Sequence, residues 1–368
     1  MSSSASDDDY PKLPHDAVVQ ILKRLPVRSL LRFRCVCRSW RSTIDGPSFV
    51  DLYQKHVARD ASNWHLACVE WCDPLPPSEL LCFLLSGESL SMSQIEFPFA
   101  ASSSLFGFVG SCNGLICVTQ FAEDGYGRSM YLWNLFTRKH REVRRSRPEP
   151  EFLSKSSTHI VLGFGFDARS NDYKIVRILH HPYGHHPRFG EIYSLNTDSW
   201  RSLDCEVPAF CRYSSVVFFN GNLHWFAFKR RDVSENRNGC IVLFDVAGEV
   251  FDEMALPEEI QRGSEVYLAV FNDLLAVLNS VLAPERYSIC SVWVMREYGV
   301  PKSWTKLYTF KASGLVAGFD GLTRNGELLM EINVGERVSW NPVTQQLTYL
   351  PLSMQCDLVT VVESLVSP

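Results

Sequence analysis

Between residues 13 and 53 the hydrophobic residues recur at the spacing of short α-helices. In the segment DAVVQILKRL four aliphatic residues fall at positions i, i+3, i+4 and i+7 and form one stripe: Val18, Ile21, Leu22 and Leu25. Pro26 ends this helix and can begin the next, because a first turn does not use the N–H that proline lacks. A third helix, RSWRSTID, is stopped by a Gly-Pro pair, and the capping residues Ser48 and Asp51 predict one further turn.

Three short helices cannot bury their own apolar faces. The segment is therefore either a subdomain docked on the rest of the chain or a module that completes its core on a partner. Seven basic residues and no acidic residue lie between positions 23 and 41, which makes nucleic acid a candidate partner. The arginines are interleaved with large aliphatic residues instead of following a solvated stripe, and this favours a protein partner.

After residue 53 the pattern changes to short runs of strand-forming residues separated by turns. Asparagine turns recur about every 50 residues, at Asn113-Gly114, Asn171-Asp172, Asn220-Gly221, Asn272-Asp273 and Asn325-Gly326. Apolar runs flank each turn, as LFGFVGS and LICVTQ do, and Asn-Gly between two such runs is a strong hairpin signal. A second hairpin such as YLWNLFTRKHREV follows in each unit, so five units of four strands are visible.

A closed ring of such units needs its two ends joined. Residues 62–100 contain three strand-like runs and residues 357–366 supply a fourth, which predicts a sixth blade made from both ends of the chain. The fold class is therefore mainly β, with a small N-terminal three-helix module followed by a β-propeller of six blades. A β-sandwich of similar strand content is the alternative, which the regular spacing disfavours. We assign residues 1–10 to a disordered tail, 11–55 to the helical module and 62–366 to the propeller.

The segment LPHDAVVQILKRLPVRSLLRFRCVCRSW, residues 13–40, resembles a plant-type F-box. The family pattern runs L-P-x-D/E, I-L, L-P, S-L-L-R-F and V-C-R-x-W, and Ala17 stands where a larger aliphatic residue is usual. The resemblance implies docking onto the acidic Skp-type adaptor of an SCF ubiquitin ligase, so the basic run would face an acidic partner. The residues that it assigns to adaptor binding are Leu13, Pro14, Val18, Ile21, Leu22, Leu25, Pro26, Leu30, Leu31, Val36 and Trp40.

The strand-rich region resembles the plant F-box-associated domain. The segments GSCNGLIC and GFGFDARSNDYKIVR, together with WNP at residues 340–342, are similar to its signature segments, and the resemblance covers roughly residues 100–350. It implies a kelch-like propeller with a substrate-recognition role and does not name the substrate.

Two segments resemble catalytic motifs but lack the context that those motifs require. Gly163, Gly165 and Ala168 satisfy G-x-G-x-x-G/A, yet a turn and a strand follow instead of the helix that binds a pyrophosphate. The segment GSCNG places Cys112 like the nucleophile of a strand–helix elbow, and again a strand follows, which predicts a buried structural cysteine. We therefore expect no catalytic residue and no cofactor.

A histidine-rich segment and a basic cluster each have two interpretations. Imidazoles bind zinc or nickel, but no cysteine or carboxylate joins the histidines closely, so we expect a solvated loop without metal at His180, His181, His185 and His186. The segment REVRRSR, residues 141–147, is either a solvated loop or a contact for an acidic substrate.

The composition bears on where in the cell the protein is located. The net charge of -5 is too mild to imply nucleic acid or a membrane, and no apolar run approaches the length of a membrane span. The 12 cysteines include no CxxC pair, and the polar, acidic N-terminus is not a signal peptide. We expect reduced thiols and a location in the cytoplasm, the nucleus or both.

Variable inserts fall between the second and third strands of each unit, at residues 123–128, 180–188, 229–238 and 281–287. In a propeller these inserts share one face with the connections between blades, and variable loops on a rigid scaffold are where binding usually resides. Arginine, tyrosine and histidine side chains of the inserts are the candidates for target binding. They are Arg128, His181, Tyr183, His185, Arg188, Arg230, Arg231 and Arg286.

The sequence thus predicts a non-catalytic substrate receptor of an SCF-type ubiquitin ligase. Its expected partners are a Skp-type adaptor, through it the cullin and RING subunits, and an unidentified target protein. The alternative is an adaptor-bound binding protein or small-ligand sensor that does not promote ubiquitination.

Overall fold

The computed structural model of the chain describes residues 13–58, 63–71, 80–86, 91–99, 105–122, 125–146, 159–180, 188–208, 210–213, 216–229, 239–260, 264–284, 286–322, 326–333, 335–352 and 356–368. The tail expected at residues 1–10 lies outside these ranges. Within them the chain forms helices only near its N-terminus, apart from one 3-10 turn, followed by strands in six antiparallel sheets. The mainly β fold class and the count of six blades are confirmed.

The helices of the N-terminal module are α1 (His15–Leu22), α2 (Val27–Phe33), α3 (Arg38–Asp45) and α4 (Pro47–Val57). The expectation of three helices and one further turn is wrong for α4, which is the longest of the four. Its N-cap is Gly46, and Pro47 occupies the first position, where a missing N–H costs nothing. Phe49, Tyr53 and Val57 recur every four residues on α4 and complete the apolar core of the module.

Blade 1 combines strands from both ends of the chain, and blades 2 and 3 follow in order. The strands of blade 1 are β1 (Trp64–Trp71), β2 (Leu80–Ser86) and β3 (Ser91–Ile95), with β25 (Cys356–Val362) beside β1. Blade 2 contains β4 (Leu105–Cys112), β5 (Leu115–Ala122), β6 (Gly125–Asn134) and β7 (Lys139–Glu142). Blade 3 contains β8 (His159–Asp167), β9 (Asp172–His180), β10 (Phe189–Ser194) and β11 (Ser199–Ser202).

Blades 4 to 6 repeat this order. Blade 4 begins with two short strands that both pair with β14: its strands are β12 (Phe210–Tyr213), β13 (Val217–Phe219), β14 (Asn222–Lys229), β15 (Gly239–Asp245) and β16 (Val250–Met254). Blade 5 contains β17 (Glu265–Phe271), β18 (Leu274–Leu282), β19 (Tyr287–Met295) and β20 (Trp304–Ser313). Blade 6 contains β21 (Val316–Leu322), β22 (Leu328–Ile332), β23 (Glu336–Trp340) and β24 (Leu347–Tyr349).

The innermost strand of each blade contacts the innermost strands of the two neighbouring blades, so the blades form a closed ring. In blade 1 the innermost strand is β25. The contacts run from β25 to β4, β8, β13, β17 and β21, and β21 contacts β25 again. Antiparallel pairing of β25 with β1 closes the ring, with Trp64 opposite Val362 and Cys68 opposite Leu358. The prediction that the first and last segments share a blade is confirmed.

Left-handed asparagines mark the turn between the first and second strand of the blades. Asn113, Asn171, Asn220 and Asn272 have φ between 48° and 51°, which asparagine tolerates better than most residues. The turn that contains Asn171 spans residues 168–171, because β9 begins at Asp172, so the two-residue turn expected there is wrong. The period of the asparagines nevertheless marked five of the six blades, although Asn325 of the fifth turn lies outside the described residues.

The strand after Gly163 and Gly165 excludes the dinucleotide interpretation, because β9 stands where that motif needs a helix. Both glycines allow blade 4 to approach β8 closely. A Cβ atom at Gly163 would lie 2.7 Å from Leu223 Cδ1, and one at Gly165 would lie 2.7 Å from Phe218 Cδ2. These glycines therefore serve packing between blades.

Antiparallel strands divide the connections of the propeller between two faces. The near face carries the turns after the first and third strands of each blade, such as residues 113–114 and 135–138. The far face carries the connections after the second and fourth strands, such as residues 283–286 and 203–208. The helical module lies on the near face, where Phe136 and Leu365 pack against its apolar core.

Candidate interaction surfaces

An exposed aliphatic surface lies on the helical module. Leu13, Ile21 and Val36 are 61%, 51% and 64% exposed, and Pro14 and Pro26 are exposed as well. Large aliphatic side chains with this exposure form an apolar surface that water solvates poorly. We name Leu13, Ile21 and Val36 the aliphatic surface.

The other members of the sequence-predicted adaptor set contribute to the module itself. Leu22 and Leu30 are buried in its core, so they stabilise the helices and do not reach a partner in this conformation. The half-buried members pack against that core, and they are Val18, Leu25, Leu31 and Trp40. Trp40 meets Phe33 edge to face, with ring centroids 5.3 Å apart.

The basic residues of the module remain largely uncompensated. Arg34 pairs with Asp45 through two hydrogen bonds of 2.5 Å and 2.7 Å, and Arg41 lies 3.7 Å from the same carboxylate. The hydrogen bonds from Arg34 hold the pKa of Asp45 below its usual value. Within the described residues no ion pair involves Arg24, Arg28, Arg32 or Arg38, all of which are exposed. The module therefore presents exposed aliphatic side chains together with uncompensated positive charge, which suits an acidic partner.

On the far face, the structure describes two of the predicted target-binding arginines. Arg188 precedes β10 in blade 3, and Arg286 is exposed in the tight loop between β18 and β19 in blade 5, with φ 62°. Blade 4 stands between them, so the two side chains belong to separate parts of the face.

The remaining predicted target-binding residues are placed only in part. Arg128 belongs to β6, so the expectation that it lies in a loop is wrong, and its side chain lies outside the described residues. His181, Tyr183, His185, Arg230 and Arg231 also lie outside the described residues. His180 ends β9 and is buried, so the histidine segment begins with a core residue rather than a loop residue.

A cavity of about 310 Å³ opens beside Arg188. Its lining comes from the start of β10 and the connection after β11: Arg188, Phe189, Gly190, Ser202, Leu203, Cys205, Glu206 and Val207. Neither Arg188 nor Glu206 has an ion-pair or hydrogen-bond partner among the described residues. The cavity has room for one large side chain, and two charged residues, Arg188 and Glu206, line it. Sequence reasoning placed the connection after β11, which contains Glu206 and Val207, on this face, but it did not single out either residue.

The basic cluster of residues 141–147, which begins within β7, is partly neutralised. Arg141 and Arg144 lie 3.0 Å and 2.7 Å from the carboxylate of Asp198. The Tyr193 hydroxyl donates to the same carboxylate at 2.7 Å, and this bond together with the arginines lowers the pKa of Asp198. These two arginines are therefore engaged in joining blades 2 and 3, which weakens the interpretation as a contact for an acidic substrate.

Two buried titratable groups of the propeller, Lys174 and His224, contact polar groups on neighbouring elements. Lys174 Nζ lies 2.9 Å from Asp167 Oδ2 and 3.0 Å from Glu249 Oε1, which links blades 3 and 4. Burial lowers the pKa of His224 to about 4, and its Nε2 lies 2.8 Å from the Tyr298 hydroxyl. Each of these arrangements has the geometry of a structural link between strands.

Cys112, in the elbow-like segment GSCNG, ends β4 and lies in an apolar core. Burial raises the pKa of its thiol, which opposes formation of the thiolate that a nucleophile requires. This agrees with the structural role expected from the sequence.

One buried carboxyl makes the stability of the ring depend on pH. Asp320 is 16% exposed, and its Oδ2 lies 3.4 Å from Arg337 Nε. Burial raises the pKa of Asp320 to about 6, although Arg337 opposes the shift. A carboxyl whose pKa is raised on folding stabilises the fold most at low pH, and this contribution is lost as pH rises from about 4 to about 6.

Asp320→Asn should therefore gain stability relative to the natural chain as pH rises. The free energy of unfolding of the variant minus that of the natural chain should rise by about 2–3 kcal/mol between pH 4 and pH 7. Urea unfolding of both proteins across this range measures it, and any pH-independent effect of replacing the carboxyl by an amide cancels in the comparison. Parallel pH profiles would contradict the assignment.

The described residues contain no helix that is long and apolar enough to cross a membrane. Within the same parts of the chain, no group of three or more His, Cys, Asp or Glu side chains has a metal-binding arrangement.

Comparisons with known proteins agree with this arrangement. The family model of the F-box domain matches residues 11–52, and that of the F-box associated beta propeller domain matches residues 101–331. F-box protein At3g07870 of Arabidopsis thaliana is 30% identical to this chain, with 90% of this chain and 85% of that protein covered. F-box/kelch-repeat protein At3g23880 of Arabidopsis thaliana is 30% identical, with 80% and 78% covered. The solved structure of YjhT has a TM-score of 0.43 at 10% identity over 70% of this chain and 86% of that chain, which is too low to support an argument.

A helical docking module on one face of a six-bladed propeller defines a two-domain, adaptor-linked binding protein. The chain belongs to the plant family of F-box proteins with an F-box-associated β-propeller domain. An F-box implies binding of a Skp-type adaptor, and F-box proteins are in general non-catalytic subunits with a substrate-recognition role in SCF complexes.

Proposed function

We propose that this chain is the substrate-recognition subunit of an SCF-type ubiquitin ligase, with the aliphatic surface on the adaptor and the far face on a target protein. One observation supports this most strongly. The module with its exposed Ile21 and Val36 lies on the near face of the propeller, whereas Arg188 and its cavity open on the far face. One chain can therefore bind two partners simultaneously.

Ubiquitin transfer in this proposal follows from proximity. The receptor holds lysines of the target near a charged conjugating enzyme that the cullin and RING subunits carry, and so raises their effective concentration. The chain itself contributes binding and orientation. We also propose a location in the cytoplasm, the nucleus or both, which the free thiols of the ten cysteines whose side chains the structure describes support.

Co-purification separates this proposal from an adaptor-bound protein without ubiquitination activity. The natural chain should recover adaptor, cullin and RING subunits together, and it should shorten the lifetime of the proteins that bind its propeller. Recovery of the adaptor without cullin would favour the alternative instead.

Arg188→Glu should remove targets without affecting the adaptor. Reversal of this charge beside the cavity should weaken the binding of a target that contacts Arg188 at least about tenfold, because arginine is a frequent hot-spot residue. Proximity labelling by a chain that also carries Ile21→Asp measures this, since targets should accumulate on a receptor that cannot deliver them.

Lys302→Glu is the matched control for Arg188→Glu, because Lys302 is an exposed cation in the connection between β19 and β20 on the near face. It should leave the labelled proteins unchanged. If Arg188→Glu leaves them unchanged as well, the cavity is not part of the target surface.

A further inference from the structure

Residues 363–368 continue from the closing strand β25 across the near face. Glu363 N donates to Asn63 O at 3.0 Å, and Asn134 Nδ2 donates to the carbonyl oxygens of Ser364 and Val366 at 3.0 Å and 2.8 Å. Ser364 is fully buried. This segment is therefore anchored to blades 1 and 2 by its backbone, and we name it the C-terminal strap.

The Glu363 side chain crosses from the strap to the helical module. Its Oε2 accepts hydrogen bonds from the backbone N–H of Val27 at 2.9 Å and from the Tyr53 hydroxyl at 3.2 Å. Val27 is the first residue of α2, and Tyr53 lies on α4. One carboxylate thus joins two helices of the module to the propeller, and hydrogen bonds to a charged acceptor are stronger than neutral ones.

The Val27 N–H depends on Glu363 for its acceptor, whereas the Tyr53 hydroxyl also lies 3.2 Å from the carbonyl oxygen of Leu25. Pro26, the N-cap of α2, makes no side-chain hydrogen bond to the first turn, so the N–H of Val27 takes its acceptor from the strap. Tyr53 is buried, and burial raises the pKa of its hydroxyl, which keeps it protonated and able to donate. Loss of the carboxylate would leave the N–H of the buried residue Val27 without its charged acceptor, while the Tyr53 hydroxyl could still donate to Leu25 O.

Apolar contacts and shape reinforce the same connection. Leu365 of the strap packs against the core of the module. Beneath the strap, a Cβ atom at Gly114 would lie 2.2 Å from Ser364 Cβ, and Gly114 has φ 79°. The lack of a side chain at this near-face turn therefore leaves room for the strap to pack against the propeller.

We propose that Glu363 is a positioning residue that fixes the helical module, and with it the aliphatic surface, in one orientation relative to the far face. The fixed orientation is a property of the chain alone. Its consequence for ubiquitin transfer rests on the proposed function, because only a receptor needs a defined distance between adaptor and target.

Hydrogen exchange at the start of α2 tests the contact directly in the full chain. Glu363→Ala should speed exchange of the Val27 amide about tenfold, as loss of a hydrogen bond to a charged group predicts. Glu363→Gln keeps an acceptor oxygen and should restore most of the protection. Glu336→Ala is the control, because this exposed carboxylate bonds only to Asn333 within blade 6 among the described residues.

A distance measurement tests the orientation itself. Spin labels on unnatural amino acids at Ser48 of α4 and Val343 of blade 6, both exposed, report the separation of module and propeller without the use of cysteine. The natural chain should give one narrow distance distribution, and Glu363→Ala should broaden it while Glu363→Gln does not. Near-ultraviolet circular dichroism verifies that each variant remains folded.

The outcomes separate this inference from the proposed function. An unchanged distance distribution and unchanged amide exchange in folded Glu363→Ala would overturn the positioning role. Failure of the natural chain to bind a Skp-type adaptor would overturn the proposed function and leave both measurements valid. If both proposals hold, the adaptor affinity of the Glu363→Ala protein should lie within about twofold of that of the natural chain, because Glu363 is not on the aliphatic surface. A ligase complex that contains this variant should ubiquitinate its targets more slowly.

Discussion

Ile21→Asp should weaken binding of a Skp-type adaptor at least about a hundredfold, because it places a carboxylate in an apolar contact with an acidic partner. Ile21 lies on α1 and is half exposed, so the substitution should leave the fold of the module intact. Calorimetric titration of purified adaptor into the two proteins measures the loss. The same substitution should also remove cullin from the purified complex.

Val250→Asp provides a matched control for Ile21→Asp. Val250 is 52% exposed, against 51% for Ile21, and it lies in the outermost strand of blade 4. The Val250→Asp protein should bind the adaptor with the affinity of the natural chain. Normal adaptor affinity of the Ile21→Asp protein would mean that the aliphatic surface is not the docking surface.

Val361→Asp should be the most destabilising of the substitutions considered. Val361 lies in the closing strand β25, is 1% exposed, and packs in an apolar cluster with Ala67, Phe106 and Val118. An unpaired carboxylate in such a cluster should cost about 4 kcal/mol or more, a large share of the stability of an ordinary domain. Thermal and urea unfolding should show a much lower midpoint or no cooperative transition.

Val343→Asp controls for the introduced charge. Val343 is 88% exposed in the turn between β23 and β24, and the substitution there should change stability by no more than about 0.5 kcal/mol. A Val361→Asp protein that unfolds like the natural chain would contradict the assignment of β25 as the strand that closes the ring.

The F-box motif combines core and surface residues that its sequence does not distinguish. Leu22 and Ile21 are neighbours in α1, yet Leu22 is buried among the helices and Ile21 points to solvent. Both are aliphatic and both match the motif. Which of them can meet the adaptor depends on how α1 packs against α2 and α4, and that packing involves residues more than twenty positions away.

The sequence predicted which loops share the far face, but it did not predict the cavity that lies there. The order of strands in each blade placed Arg188 beside the connections between blades, and the structure adds a cavity there. Glu206 and Val207 of that cavity follow a different strand from Arg188, so no local pattern links them. Arg128 was misplaced because β6 extends beyond its apolar residues to Gly125, and a polar strand end has the composition of a loop.

The sequence by itself determined the helical module, the hairpins, the number of blades and the closure of the ring. The helical module, the hairpins and five of the blades follow from hydrophobic spacing and turn chemistry within a few residues. The sixth blade and the closure follow from strand-like runs at the two ends of the chain, which a ring must join. Only the tertiary structure decided that Glu363 joins the two domains. Glu363 and Val27 are separated by 336 positions, and the value of a carboxylate there depends on a helix N–H and a hydroxyl that folding brings to it.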